Sequence, residues 1–137
     1  MSLVLDASIA LTWCFPDEKA QKAEEISQRI ASGETVIVPA FWWHEILNAL
    51  LVGEKRKRLT PDLTRAFIGD LSRLPIEVDL RIISANMFKE TESLCRKHGL
   101  TAYDSAYLEI ALRQGHALAT ADEDLRRAAI AEGVQVL

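Results

Sequence analysis

Cysteine, proline and glycine are all scarce in this chain of 137 residues, at two, four and six. Cys14 and Cys95 lie far apart and form no C-x-x-C pair. That excludes a disulfide scaffold and a zinc finger, and it suits a reducing compartment. No run of about 18 apolar residues occurs, so no membrane-spanning helix is expected. The chain enters Leu3-Val4-Leu5-Asp6 with neither a basic segment nor a long apolar stretch before it, so no secretory signal is expected and a cytoplasmic location is. Repeats and low-complexity tracts are absent. Positive charge is not in excess either: 16 Lys and Arg face 20 Asp and Glu, a formal net charge of -4. This speaks against a generic non-specific nucleic-acid binder. It leaves open an enzyme whose carboxylates are neutralised by a bound cation. What remains is ordinary globular material, 49% hydrophobic and 26% charged. A chain of this length buries roughly two-thirds of its unfolded surface, and a single domain over residues 1–137 is expected.

Short β-type runs alternate with longer helical ones. Leu3-Val4-Leu5, Val36-Ile37-Val38, Ile76-Glu77-Val78, residues 117–120 and Val134-Gln135-Val136 read as strands. Between them, residues 7–14, 18–32, 41–51, a stretch opening at Thr60-Pro61, residues 80–97, 102–113 and 123–132 read as helices. The helix over 18–32 carries Ala20, Ala23, Ile26 and Ile30 on one face. Thr60-Pro61 pairs a capping threonine with proline in the first turn, ahead of a stripe of Leu63, Phe67, Leu71 and Leu74. The long helix over 80–97 carries Leu80, Ile83, Met87, Thr91 and Leu94. Strands alternating with helical crossovers imply a parallel sheet covered on both faces, hence an α/β fold. In such sheets ligands bind beyond the carboxyl ends of the strands.

Acids fall at those ends. Asp6 directly follows the first strand, Asp122 follows the fourth by two residues, and Asp104 opens the helix after Gly99. Each also fits a structural role, because aspartate commonly caps helices; Thr101 to Asp104 and Thr120 to Glu123 both match a capping box. Glu45 is harder to explain that way. It sits in Phe41-Trp42-Trp43-His44-Glu45-Ile46-Leu47-Asn48-Ala49-Leu50-Leu51, a helix with almost no polar face, and only His44 and Asn48 share its side. A carboxylate there is buried with a partner or lines a cleft, since an unpaired buried one costs several kcal/mol or stays protonated. His44, beside two tryptophans, reads as a packed residue rather than a ligand. His98 and His116 lie near helix ends, where a cationic ring is favourable.

Taken together, Leu5-Asp6-Ala7-Ser8, Glu45-x-x-Asn48, Thr101-x-x-Asp104 and Leu118-Ala119-Thr120-Ala121-Asp122 resemble the PIN domain, and within it the VapC-type toxins of toxin–antitoxin pairs. The resemblance covers the whole chain. It implies a three-layer α/β/α sandwich around a short central parallel sheet. It assigns the metal-site acids to Asp6, Glu45, Asp104 and Asp122, supporting roles to Ser8, Asn48 and Thr120, and a secondary acidic position to Asp124. It further implies Mg²⁺ or Mn²⁺ as cofactor, hydrolysis of RNA to a 5′-phosphate and a 3′-hydroxyl, a homodimer, and a cognate VapB-like antitoxin protein as partner.

Elementary chemistry agrees with this assignment. Carboxylates gathered in one pocket repel each other strongly at reduced dielectric, and an oxygen-only set suits Mg²⁺ or Mn²⁺ better than zinc. The run Lys55, Arg56, Lys57, Arg58 follows an RNA backbone or simply forms a solvated helix end, where cations suit the dipole. A partner helix would fit near Ile9, Trp13 and the helix from residue 18. Two rival classes stand beside the nuclease. A haloacid-dehalogenase-like phosphatase would want a second aspartate where Ser8 stands, and a receiver would want a second acid pair and a late lysine. The other rival is a PIN-like binding module without catalysis, which the intact acid set argues against.

Overall fold

The computed structural model describes residues 1–17, 19–81 and 85–137, leaving aside the side chains of residues 86 and 87. In chain order its elements are β1 (Ser2–Leu5), α1 (Ala7–Cys14), α2 (Ala20–Ala31), β2 (Thr35–Pro39), α3 (Trp42–Lys55), α4 (Pro61–Leu71), β3 (Ile76–Asp79), α5 (Ala85–His98), α6 (Ala102–Gln114), β4 (Ala117–Ala119) and α7 (Glu123–Ala131). The four strands form one sheet in the order β3-β2-β1-β4, and every neighbouring pair is parallel. This is the expected α/β arrangement.

β1 lies inside the sheet, and Leu3, Val4 and Leu5 are all fully buried. Successive strand residues point to opposite faces, so helices must cover both sides, which makes three layers. The near-continuous apolar run of β1 is what such a strand requires. α6 packs across β1, β2 and β4, with α5 and α7 against it, while α1 packs against α2 and α3. Tyr107, Leu108 and Ile110 of α6 and Trp42, Ile46 and Leu50 of α3 complete the core.

Register positions the site. Leu5 pairs with Ala119, so Asp6 and Thr120 leave neighbouring strands side by side. The Asp6 amide donates to the Ala119 carbonyl at 2.9 Å, extending the ladder one step beyond β1. From β1 the sheet grows through β2 to β3 on one side and to β4 on the other. The β1–β4 edge is therefore the switch point at which open α/β sheets form crevices.

Several elements differ from the sequence reading. α3 runs on past Leu51 to Lys55, because Glu54 is anchored by the Thr64 hydroxyl, which donates to its Oε2 at 2.7 Å. The same bond sets the roll of α4: Thr64 is buried and Leu63 is 54% exposed, so Leu63 leaves the buried stripe that Leu71 heads. α5 begins at Ala85, and Leu80 lies outside it, exposed. Ile83 and the side chain of Met87, expected on its buried face, lie outside the described residues. α2 begins at Ala20. The last expected strand reduces to a single parallel bridge between Leu118 and Val136, since β4 itself has only three residues to offer. His44 is exposed rather than packed.

The end of α3 is built tightly. Lys57 takes the left-handed conformation with φ 59°. The Lys57 amide donates to the Glu54 carbonyl and the Arg58 amide to the Gly53 carbonyl, the paired bonds of a Schellman ending. Gly53 admits the Phe15 ring, which a Cβ would meet at 2.7 Å, and the Arg58 guanidinium lies 4.4 Å from the centre of that ring.

Candidate active site

Asp6 stands at the N-cap position of α1, yet its side chain makes no capping bond. It turns inward instead, 6% exposed. Its Oδ2 accepts from the Ser8 hydroxyl at 2.8 Å and from the Thr120 hydroxyl at 2.6 Å. Both hydroxyls are fixed in turn, because the Ala121 amide donates to Ser8 Oγ and the Asp122 amide to Thr120 Oγ1, each at 3.0 Å. A backbone N–H can only donate, so each hydroxyl proton is left to point at Asp6. Burial pushes the Asp6 carboxyl above its ordinary value; the two hydroxyl bonds oppose this, and the charge of Asp122 adds to it.

Asp104 and Asp122 sit at helix entries. The Thr101 hydroxyl caps α6 by accepting from the Asp104 amide at 3.1 Å. Asp122 caps α7 itself, accepting from the Leu125 amide at 2.9 Å. The capping box read at Thr120 is thus displaced by two residues, and Thr120 is released to serve Asp6. Burial raises the Asp104 carboxyl, with the charges of Asp122 and Asp6 adding to the rise and a hydrogen bond between its own side chain and Thr101 opposing it. Glu45 projects from the first turn of α3 and is raised by burial, then by Asp6 and Asp104, against a lowering hydrogen bond. That bond comes from Tyr107, whose hydroxyl donates to Glu45 Oε1 at 2.5 Å.

The four acids from distant segments thus share one electrostatic site. Ser8 and Thr120 touch its centre. Asn48 is exposed, and among the described residues no hydrogen bond ties it to an acid. Asp124 is exposed and paired with Arg127, and it adds only a small repulsion to Asp104. Lys55 to Arg58 are exposed at the far end of α3, about 15 Å along the helix from Glu45 at 1.5 Å per residue. Ile9, expected on a partner surface, is fully buried. Trp13 is half-buried, and its indole N–H donates to the Ala23 carbonyl at 2.8 Å.

Tyr107 escaped the sequence reading. It is fully buried and lies one helical turn beyond Asp104, on the same side of α6. That i, i+3 spacing was the available signal. Phe41 packs edge-on against both Tyr107 and the exposed Tyr103, at 5.8 and 5.3 Å between ring centres. Beyond Phe41 a cavity of about 90 Å³ is lined by Asp79, Arg81, Glu109 and Arg113. Arg113 bonds both Asp79 and Glu109, and Arg81 lies 3.5 Å from Glu109, so these charges satisfy one another.

The donor set fits a hard divalent cation: it is oxygen only, and three of its carboxyls are raised by burial and by one another. Among the described residues no three acids stand close enough to hold one ion as the side chains lie.

The chain belongs to the PIN domain family, whose model matches residues 3–131. It is 29% identical over 125 residues to the ribonuclease VapC3 of Pyrobaculum aerophilum, covering 91% of this chain and 92% of that one. Its fold is shared with the crystal structure of PAE2754 from Pyrobaculum aerophilum, at TM-score 0.68 and 20% identity, over 99% of this chain and 89% of that one. It is also shared with VapBC2 of Rickettsia felis, solved bound to a DNA fragment from their promoter, at TM-score 0.65 and 14% identity over 100% and 98%. Among the described residues no helix is long and apolar enough to cross a membrane.

Proposed function

We propose that this protein is a single PIN domain over residues 1–137, acting as a metal-dependent endoribonuclease and the toxin of a toxin–antitoxin pair. The observation that carries the reading is Asp6. A buried carboxylate that forgoes its helix cap, takes two fixed hydroxyl donors and faces three other acids costs stability in isolation and is accounted for by a cation. Asp6, Glu45, Asp104 and Asp122 would hold Mg²⁺ or Mn²⁺. When bound, such an ion supplies a more acidic water and positive charge beside a phosphodiester. Ser8 and Thr120 hold the Asp6 carboxylate in one orientation and share its charge. The match to the PIN family and the likeness to a ribonuclease VapC3 support RNA as substrate.

The test is cleavage of RNA by purified protein with Mg²⁺ or Mn²⁺ and with a chelator. Cleavage is expected with metal, and Asp6→Asn is expected to abolish it while leaving the fold intact. An Asp6→Asn protein that cuts at the wild-type rate would falsify the assignment. Metal-independent cleavage would reject the cofactor, and no cleavage at all would favour the non-catalytic module.

The restraint on such an enzyme would be an antitoxin protein. An apolar groove lined by Trp13, Ile30, Phe67, Leu71 and Leu74 runs between α2 and α4. Trp13, which lines it, lies about 9 Å along α1 from the residue after Asp6. An amphipathic helix seated there could send an arginine to the acids, which pair well with guanidinium. The chain alone would be a homodimer. Leu47, Leu51 and Val52 of α3 are 42%, 44% and 37% exposed, and an apolar patch of this kind marks an interface.

A further inference from the structure

Three of the four acids are aspartates, whose short side chains keep the carboxylate close to its own backbone. Asp6 lies between the Ser8 and Thr120 hydroxyls, Asp122 is held by the Leu125 amide, and Asp104 sits on a helix turn capped by Thr101. Glu45 differs. It has the longest side chain of the set and stands on α3, which follows β2 rather than the β1–β4 edge.

Its fixation comes from Tyr107. The phenol is fully buried, and Phe41 packs edge-on against the ring at 5.8 Å and 90°. The Ala7 amide donates to the phenol oxygen at 3.3 Å. Because an amide N–H only donates, the single phenol proton is free for Glu45 Oε1, which it reaches at 2.5 Å. The bond uses one carboxylate oxygen and leaves Oε2 for another ligand. Ala7 is also the residue after Asp6. The phenol therefore links an acid on α3 to the peptide beside the acid at the end of β1, from a third element, α6.

We propose that Tyr107 is a positioning residue of the acidic site, holding the Glu45 carboxylate in register with Asp6 so that a divalent cation meets it already oriented. The inference rests on the metal-site reading above. It gives α6 two tasks one turn apart: Asp104 supplies an acid and Tyr107 aims one. A tyrosine packed there only to fill the core would leave cation affinity untouched when its hydroxyl is removed.

The experiment is a Mn²⁺ titration of the full chain, followed by electron paramagnetic resonance, for wild type, Tyr107→Phe, Glu45→Gln and the double variant. Tyr107→Phe is expected to weaken Mn²⁺ binding by about 10–100-fold, the usual effect of removing a partner of a ligating group. The double variant is expected to bind no more weakly than Glu45→Gln alone, because the phenol acts through Glu45. Unchanged affinity in Tyr107→Phe overturns the inference, as does a double variant whose loss is the product of the two single losses. A wild-type chain that binds no Mn²⁺ overturns the metal-site reading itself, a separate and recognisable result. A second measurement needs no change at Tyr107: a far-downfield hydroxyl proton resonance in wild type that moves in Glu45→Gln. A spectrum in which it does not move removes the proposed bond.

Discussion

Asp6, Glu45 and Asp104 carry carboxyls raised by burial, so the folded chain holds their protons more tightly than the unfolded chain does. The sign of the linkage follows. Their contribution to stability is fully present below the ordinary carboxylate values of 3.8 and 4.5 and is lost as pH rises through the raised folded values. Metal-free protein should therefore melt at a higher temperature in mildly acidic buffer than its surface charges alone would give. Adding Mg²⁺ or Mn²⁺ at neutral pH should recover the difference. Asp104→Asn should raise the metal-free melting temperature at neutral pH and flatten its rise on acidification. Calorimetric melts between pH 5 and 8, with and without the cation, check this; a melting temperature that falls steadily toward pH 5 in metal-free wild type would reject it. At this scale the acids were readable from their places after strands and before helices. The partners were not. That Thr120 serves Asp6 while Asp122 does the capping depends on which of two adjacent oxygens reaches which amide, and sequence spacing permits both. Tyr107 was hidden because an apolar ring on the buried side of α6 reads as core until its hydroxyl is seen to meet Glu45.

Among the elements, α3 shows most clearly where sequence pattern stops. Its apolar residues announced a helix, and Glu45 stood out against them. The pattern did not reveal that the helix continues to Lys55, because its last turn is secured by a bond from Thr64 on another element and by a left-handed Lys57 where glycine is usual. A glycine at Lys57 should stabilise the chain by roughly 0.5–1 kcal/mol, the relief of the left-handed strain less the entropy glycine adds to the unfolded state. Gly53→Ala should cost about 1–3 kcal/mol, because the new methyl meets Phe15. Denaturant melts of the two variants check both signs. The Lys57 change also tests the basic run: if it tracks an RNA backbone, Lys57→Gly lowers the salt slope of RNA binding by about 1, and a solvated helix end leaves it unchanged. The roll of α4 failed to follow its apolar spacing for a related reason. One buried threonine bonded to Glu54 outweighs one exposed leucine.

The molecule as a whole was legible in outline. Strand runs with helical crossovers imply a parallel sheet covered on both faces, and the three-layer sandwich follows from the resemblance to the PIN domain. Strand order, with β4 on the far side of β1, is a tertiary outcome that local pattern does not contain. Exposed Leu47, Leu51 and Val52 predict that the purified chain sediments at twice its monomer mass at micromolar concentration; a monomer there rejects the dimer. Co-expression with a cognate antitoxin should give a heavier, inactive complex. The bond between Thr120 and Asp6 spans 114 residues of chain, and this has a meaning in time. A ribosome adding about 5–20 residues per second needs roughly 6 to 23 s to travel from one partner to the other. Through that interval the emerging chain carries Asp6 without the hydroxyl that holds it and without Asp122. The acidic site is therefore incomplete while the chain is being made, and any activity that the site confers begins only once Thr120 and Asp122 have left the ribosome.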